Sequence, residues 1–121
     1  MKRTLGIAGL AAIAVGLIST ATPASATGVI IKPADCTVTS SAVFSVVIYN
    51  MTCSARAATE QWQIVVWCNP RGADGADFED YGNIVTGNNG TSTGKCQFNS
   101  PAGYADVTFN NSNLQTPGRH Q

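Results

Sequence analysis

The chain of 121 residues has a formal net charge of zero, with seven lysines and arginines balancing seven aspartates and glutamates, and only 12% of its residues are charged. The absence of a strongly basic surface argues against nucleic acid or an anionic membrane as the partner. A chain of this length predicts one small core, which buries a limited fraction of the surface and gains from covalent crosslinks.

The N-terminal 26 residues have the pattern of a signal peptide. Lys2 and Arg3 supply positive charge, residues 5–18 are apolar, and residues 24–26 (Ala-Ser-Ala) are the small residues that precede a cleavage site. We therefore expect a bacterial, secreted, extracellular protein without a membrane anchor after cleavage. The mature chain, residues 27–121, then carries five cations against seven anions.

The mature chain contains four cysteines, Cys36, Cys53, Cys68 and Cys96. An even number of cysteines in an exported chain predicts two disulfides. No two cysteines have the close spacing of a zinc site, so we expect no metal. Three connectivities are possible, and we favour the sequential one, Cys36 with Cys53 and Cys68 with Cys96, because each pair closes a loop that neighbouring strands can hold.

Three strand signals precede residue 54. Residues 28–32 predict an edge strand, because Pro33 follows them and cannot donate a ladder hydrogen bond. Residues 36–39 predict a short strand, and Ser40-Ser41 predicts a turn. Residues 43–53 are apolar on both faces, which predicts a central strand. One face of this strand carries Val47, Tyr49, Met51 and Cys53, and the other carries Phe44, Val46 and Ile48.

Residues 61–68 (Gln-Trp-Gln-Ile-Val-Val-Trp-Cys) are the densest run of β-formers in the chain. Alternation places Trp62, Ile64, Val66 and Cys68 on one face, which predicts a core face. The opposite face carries Gln61, Gln63, Val65 and Trp67. Because that face mixes amides with a large indole, it is either half covered or presents an aromatic surface to a partner.

The rest of the chain alternates turns with short strands. Residues 69–77 are rich in turn formers, weak strand signals return over 78–86, and Asn89-Gly90 predicts a tight turn and a hairpin. Cys96 and Phe98 are expected to point inward, as are Ala105, Val107 and Phe109 of a last strand over 104–110. The polar residues 111–121 are expected to form a flexible tail after a single β domain, 27–110.

About seven short strands without a helical period predict an all-β fold, a small antiparallel β-sandwich with two disulfides. An immunoglobulin-like arrangement is one candidate, and a small barrel is the other. In size, number of bridges and strand content, the chain is similar to small exported proteins of actinomycete type, including the chromophore-carrying sandwiches of the neocarzinostatin class.

The sequence predicts binding rather than catalysis. The one histidine, His120, lies next to the C-terminus, and no nucleophile or phosphate-binding motif is present, so we expect neither an enzyme nor a cofactor. Trp67, Tyr81 and Tyr104 point outward and are the candidate binding residues, suited to a polysaccharide or a protein partner. The protein is expected to be a monomer.

Two loop features suggest alternatives. Pro70, Arg71 and Gly72 follow Cys68, and a rigid loop at this point suits an inhibitor of an extracellular protease, with Arg71 entering the specificity pocket of the enzyme. The acidic segment Asp74–Asp80 offers oxygen ligands for calcium, although its spacing differs from that of a calcium-binding loop. A solvated surface loop is the simpler interpretation of both features.

Overall fold

The structure, a computed structural model, describes residues 26–70, 77–98 and 100–120. These residues form nine strands and no helix, and therefore none that could cross a bilayer. The strands are β1 (Ala26–Ile31), β2 (Cys36–Val43), β3 (Val46–Cys53), β4 (Gln61–Asn69), β5 (Phe78–Tyr81), β6 (Val85–Thr86), β7 (Ser92–Gln97), β8 (Tyr104–Asn110) and β9 (Gly118–His120). Nearly all of the predicted signal peptide lies outside the described residues.

The strands form two sheets. The large sheet has the order β9-β5-β4-β8-β1, with β6 also paired to β4, and the small sheet has the order β2-β3-β7. Every described strand pair is antiparallel except β1 with β8, which is parallel. Because the two sheets are separate and share one core, the fold is a small all-β sandwich, as predicted. The predicted edge strand and the predicted central strand correspond to β1 and β3.

The core lies between the two sheets and is centred on β4. Trp62, Ile64, Val66 and Cys68 are fully buried, which confirms the predicted core face. From the small sheet, β3 contributes buried side chains at Val47, Tyr49, Met51 and Cys53. Trp62 packs beside Phe109, with ring centroids 5.7 Å apart.

Two disulfides brace the sandwich with the sequential pairing predicted from the sequence. Cys36 and Cys53 are register partners in β2 and β3, so this bridge closes the small sheet's hairpin. Cys68 and Cys96 join β4 to β7 and therefore connect the two sheets. Closing the 28-residue separation of the second pair stabilises the fold by roughly 3–4 kcal/mol in the chain-entropy model.

One predicted turn and one predicted hairpin are wrong. Ser40 and Ser41 lie within β2, which continues to Val43, and the chain reverses at Phe44 and Ser45 instead. The pairing of β2 with β3 is continuous from Cys36–Cys53 to Val43–Val46. The turn therefore lies where this ladder ends, rather than at the serines whose turn propensity suggested it.

The Asn89-Gly90 turn does not make a hairpin. The strand before it, β6, pairs with β4, whereas the strand after it, β7, pairs with β3 in the other sheet. The Trp62 indole donates a hydrogen bond to the Gly87 carbonyl oxygen at 2.7 Å, which holds the start of this crossover against β4. Gly87 has φ of 64°, a conformation that glycine adopts without steric cost.

Residues 111–120, predicted as part of a flexible tail, are placed against the large sheet. Strand β9 pairs antiparallel with β5, with Gly118 opposite Tyr81 and His120 opposite Glu79. This placement corrects the expectation from composition. The contacts that hold the segment come from β4 and are described with the site below.

An ion pair holds the connection between β3 and β4. Arg56 donates from Nε and Nη2 to the two carboxylate oxygens of Asp35, at 3.1 and 2.6 Å, and from Nη1 to Glu60 at 3.2 Å. Its guanidinium also lies over the Phe109 ring, 5.2 Å from the centroid. The Asn111 side chain donates to Glu60 at 2.8 Å, which links this connection to the C-terminal segment.

Candidate binding face

The outer face of the large sheet, the side turned away from the small sheet, carries all three predicted binding residues. Trp67 in β4 is 42% exposed and is directly opposite Glu79 in β5 and Asp106 in β8. Tyr81 is the next outward residue after Glu79, and Tyr104 is the outward residue before Asp106. The three aromatic side chains therefore follow one diagonal across β5, β4 and β8, with Trp67 in the middle, at separations that aromatic side chains can span.

Trp67 is fixed in position while a large part of its surface stays exposed. Its Nε1 donates a hydrogen bond to the Thr108 Oγ1 at 3.1 Å. The Thr108 hydroxyl in turn lies 3.5 Å from the Val65 carbonyl oxygen. A polar anchor of this kind orients the indole, and orientation lowers the entropy lost when a ligand stacks on it.

Two depressions flank Trp67, and the indole forms a wall of each. One, of about 150 Å³, is also lined by Asp77, Phe78, Glu79 and His120. The other, of about 170 Å³, is also lined by Val65, Tyr81, Thr108, Phe109, Asn110 and Asn113. The first is acidic, and the second offers hydroxyl and amide groups. An aromatic platform between two polar depressions suits a ligand that has apolar faces and polar edges.

Tyr81 is held as a neutral hydrogen-bonding group. Its hydroxyl donates to Glu79 Oε1 at 2.9 Å. Burial, together with this hydrogen bond and the charge of Glu79, raises the pKa of Tyr81. The His120 ring meets the Tyr81 ring edge-on, with centroids 4.7 Å apart, and its Nε2 lies 2.8 Å from the Thr116 carbonyl oxygen. The C-terminal segment thus supports one side of the diagonal.

The other end of the same face is closed by that segment. Gln63 is fully buried, and its amide uses its whole hydrogen-bonding capacity. Its Nε2 donates to the carbonyl oxygens of Gly82 and Gln115 at 2.9 and 3.1 Å, and its Oε1 accepts from the Gln115 N–H and Asn110 Nδ2 at 2.7 and 3.1 Å. The sequence left open whether this face is half covered or presents an aromatic surface. Both descriptions apply, because the Gln63 end is covered and the Trp67 end is open.

Asp106 lies on this face, as alternation along β8 predicts, but its contact with β1 was not expected from the sequence. Its carboxylate accepts a hydrogen bond from the Val29 backbone N–H at 2.8 Å, at the irregularity where β1 shifts register against β8. A Cβ on Gly28 would collide with this carboxylate, so glycine is needed where the two groups meet. No local pattern signals this contact, since the residues are far apart in the chain.

The two loop alternatives gain no geometric support. Pro70 is buried, while Arg71 and Gly72 lie outside the described residues. The described part of the acidic segment is already engaged in part, because Asp80 accepts the Lys95 backbone N–H at 2.8 Å and Glu79 accepts the Tyr81 hydroxyl.

Among the described residues, one group of metal-ligating side chains comes close together, Asp35 with Cys36 and Cys53. Both sulfurs belong to a disulfide, and the Asp35 carboxylate is paired with Arg56. Neither the thiolates nor a free carboxylate that a metal requires is present in this group. This cluster is therefore a structural contact rather than a metal site.

Comparisons with protein-family models, with curated proteins and with solved structures found no significant match to this chain. The class of protein is therefore defined by its architecture, a small disulfide-braced β-sandwich with an aromatic outer face, and function has to be argued from that face. Two disulfides are typical of extracellular proteins.

Proposed function

We propose that this protein is a secreted, non-catalytic binding module that holds a neutral polysaccharide chain on its outer face, around Trp67, Tyr81 and Tyr104. The observation that carries the proposal is the half-exposed, oriented indole of Trp67 between two polar depressions. The signal-peptide pattern and the two bridges support export.

The chemistry of the face favours a sugar chain over other ligands. A pyranose presents apolar C–H faces, which stack on an indole, and hydroxyl edges, which hydrogen-bond to amides and carboxylates. Asn113 supplies an amide on one side of Trp67, and Glu79 supplies a carboxylate on the other. The excess of anions over cations in residues 27–121 favours a neutral chain over an acidic one.

Fluorescence titration with neutral polysaccharides and with cell-wall preparations tests the proposal. Because Trp62 is buried and Trp67 is exposed, a ligand on the outer face should change the Trp67 emission selectively. Measured by isothermal titration calorimetry, because this variant lacks the reporting indole, Trp67→Ala should weaken binding by about 30-fold, the loss typical of a central aromatic anchor. Ile84→Ala, which removes an exposed apolar side chain elsewhere, is the matched control.

Two results would contradict the proposal. If no preparation changes the emission of the wild-type protein, the carbohydrate ligand is excluded. If Trp67→Ala binds as well as wild type, binding occurs but the outer face is not the site. Tyr81→Ala and Tyr104→Ala test the path of the ligand. Both variants should bind a polysaccharide more weakly if it follows the diagonal of the three aromatic side chains.

A further inference from the structure

The turn between β2 and β3 combines backbone strain with an exposed aromatic side chain. Phe44 has φ of 57°, in the left-handed region, and is 92% exposed. A two-residue hairpin turn with positive φ at its first position strongly favours glycine there, and a bulky residue in this region is an outlier. Val43, directly before it, is also exposed.

No contact within the described part of the chain accounts for phenylalanine at this position. A ring that is almost entirely exposed gains little from packing in its own molecule, so it does not offset the strain. Strained residues that persist without a packing reason are concentrated at functional sites. The Phe44 side chain is therefore suited to an apolar pocket on another molecule.

A pocket of matching chemistry lies on the surface beside the turn. It has a volume of about 210 Å³ and is lined by Val46, Phe78, Asp80, Lys95, Gln97 and Arg119. Its apolar wall includes the Phe78 ring, over which the Arg119 guanidinium lies at 3.8 Å. Val46, which lines the pocket, follows Phe44 by two residues and is the register partner of Gln97, another lining residue. The Phe44 ring and the pocket therefore lie in one region of the surface.

We propose that two copies of this chain associate by inserting Phe44 of each copy into this pocket of the other. A two-fold dimer brings together the same surface patch of both copies, so each patch must carry both the inserted group and its receptor, as this one does. Neither β2 nor β3 contains a charged residue, so two hairpins can approach without like-charge repulsion. The dimer replaces the monomer expected from the sequence.

Analytical ultracentrifugation of the mature protein with both disulfides intact tests the dimer. Wild type should show a concentration-dependent equilibrium between monomer and dimer, observable up to about 1 mM, the weak end of specific affinities. Phe44→Gly should raise the dissociation constant by about 30-fold or more. It should also keep or raise the urea midpoint, because glycine suits the positive φ. A structural role for Phe44 would instead lower the midpoint.

The pocket is tested separately by Gln97→Tyr, which places a bulky side chain at an exposed strand position on its rim. This variant should associate as weakly as Phe44→Gly. An equimolar mixture of the two variants should form more dimer than either alone. In the heterodimer, the Phe44 ring of the Gln97→Tyr copy can enter the open pocket of the Phe44→Gly copy. Ile84→Ser, the control for loss of an exposed apolar group, should dimerise like wild type.

The proposal is overturned if wild type remains monomeric over this range, or if Phe44→Gly dimerises like wild type. It is also overturned if the mixture forms no more dimer than the separate variants, because the inserted ring and the pocket would then not be partners. Phe78 lines both this pocket and one depression beside Trp67, but the two proposals are tested by different variants and different measurements, so either can fail without the other.

Discussion

Gln63 and Trp67 lie on the same face of the same strand, four residues apart, and differ completely in exposure. Gln63 is 0% exposed and Trp67 is 42% exposed. Strand β8 runs beside both residues, whereas β5 ends at Tyr81, opposite Val65, so the sheet does not itself cover the Gln63 side chain. The C-terminal segment does, because it crosses the Gln63 end, where the Gln115 backbone takes up two of the four hydrogen bonds of that amide.

The comparison shows that a covered polar residue and an open aromatic residue are stabilised in different ways. The Gln63 end is held from outside by neutral hydrogen bonds. The Trp67 end has no such cover and is held from inside, since the adjacent Cys68 is bridged to Cys96 in the opposite sheet. Each end should therefore respond to a different perturbation.

The largest effect is expected from removing the bridge beneath the open end. Replacing Cys68 and Cys96 together by alanine should lower the free energy of unfolding by roughly 3–4 kcal/mol, a large part of the stability of a small domain. Urea denaturation measures this loss. Hydrogen exchange should accelerate near Trp67 more than near Gln63, and equal acceleration at both ends would contradict the distinction.

A smaller loss is expected from Gln63→Leu, which removes the amide that holds the C-terminal segment. We expect a cost of about 2 kcal/mol, because the Gln115 backbone groups lose their buried partners. Trypsin should then cut faster after Arg119. The matched control is Gln61→Leu in the same strand, whose exposed side chain should leave both stability and cleavage unchanged; similar cleavage of the two variants would argue against a role for the Gln63 amide.

Lowering the pH should weaken the ionic contacts of Asp35 and Glu60 and leave the neutral hydrogen bonds of Gln63 unchanged. The Arg56 guanidinium lowers the pKa of Asp35, and the Asn111 hydrogen bond, with Arg56, lowers the pKa of Glu60. Because these pKa values are lower in the folded state, the stability they contribute is present above the ordinary carboxyl pKa of about 4 and is lost as pH falls through the lowered values.

Urea midpoints measured from pH 7 down to about pH 2 check this dependence, since that range covers the ordinary carboxyl pKa values. Asp35→Asn should be less stable than wild type at pH 7 and should lose less stability on acidification. Gln63→Leu should retain the pH dependence of wild type. A pH dependence unchanged by Asp35→Asn would contradict the role assigned to this ion pair.

The smallest effect on stability is expected from Tyr49→Phe. Gln63 and Tyr49 are both buried polar side chains, but the Gln63 amide has all of its hydrogen bonds and the Tyr49 hydroxyl has none among the described residues. That hydroxyl is fully buried. Burial raises the pKa of Tyr49, and the nearby Thr27 side chain only partly offsets this rise. Removing an unpartnered hydroxyl should change the free energy of unfolding by less than about 1 kcal/mol, or increase it slightly. A loss of 2 kcal/mol or more by urea denaturation would reveal a missed partner.

The sequence by itself determined the elements that depend on local alternation. The core face of β4, the inward side chains of β3 and the outward position of Trp67 all follow from the two-residue period of a strand. The disulfide pairing followed as well, because sequential pairs close loops that neighbouring strands can hold. For the strand faces the information lies within one strand, whereas the bridges join cysteines 17 and 28 residues apart, and their pairing was favoured from the order of the cysteines.

Only the tertiary structure decided which part of the outer face is open. The composition of residues 111–121 predicts a frayed end, and nothing in that segment reveals that Gln115 meets the side chain of Gln63, 52 residues earlier. The turn at Phe44 was set by the full length of the ladder between β2 and β3, and the crossover after Asn89-Gly90 by the pairing of β6 and β7 with strands of different sheets. Ladder hydrogen bonds outweigh local turn propensity because a change of register would leave several buried N–H and C=O groups without partners, at about 1–3 kcal/mol for each group.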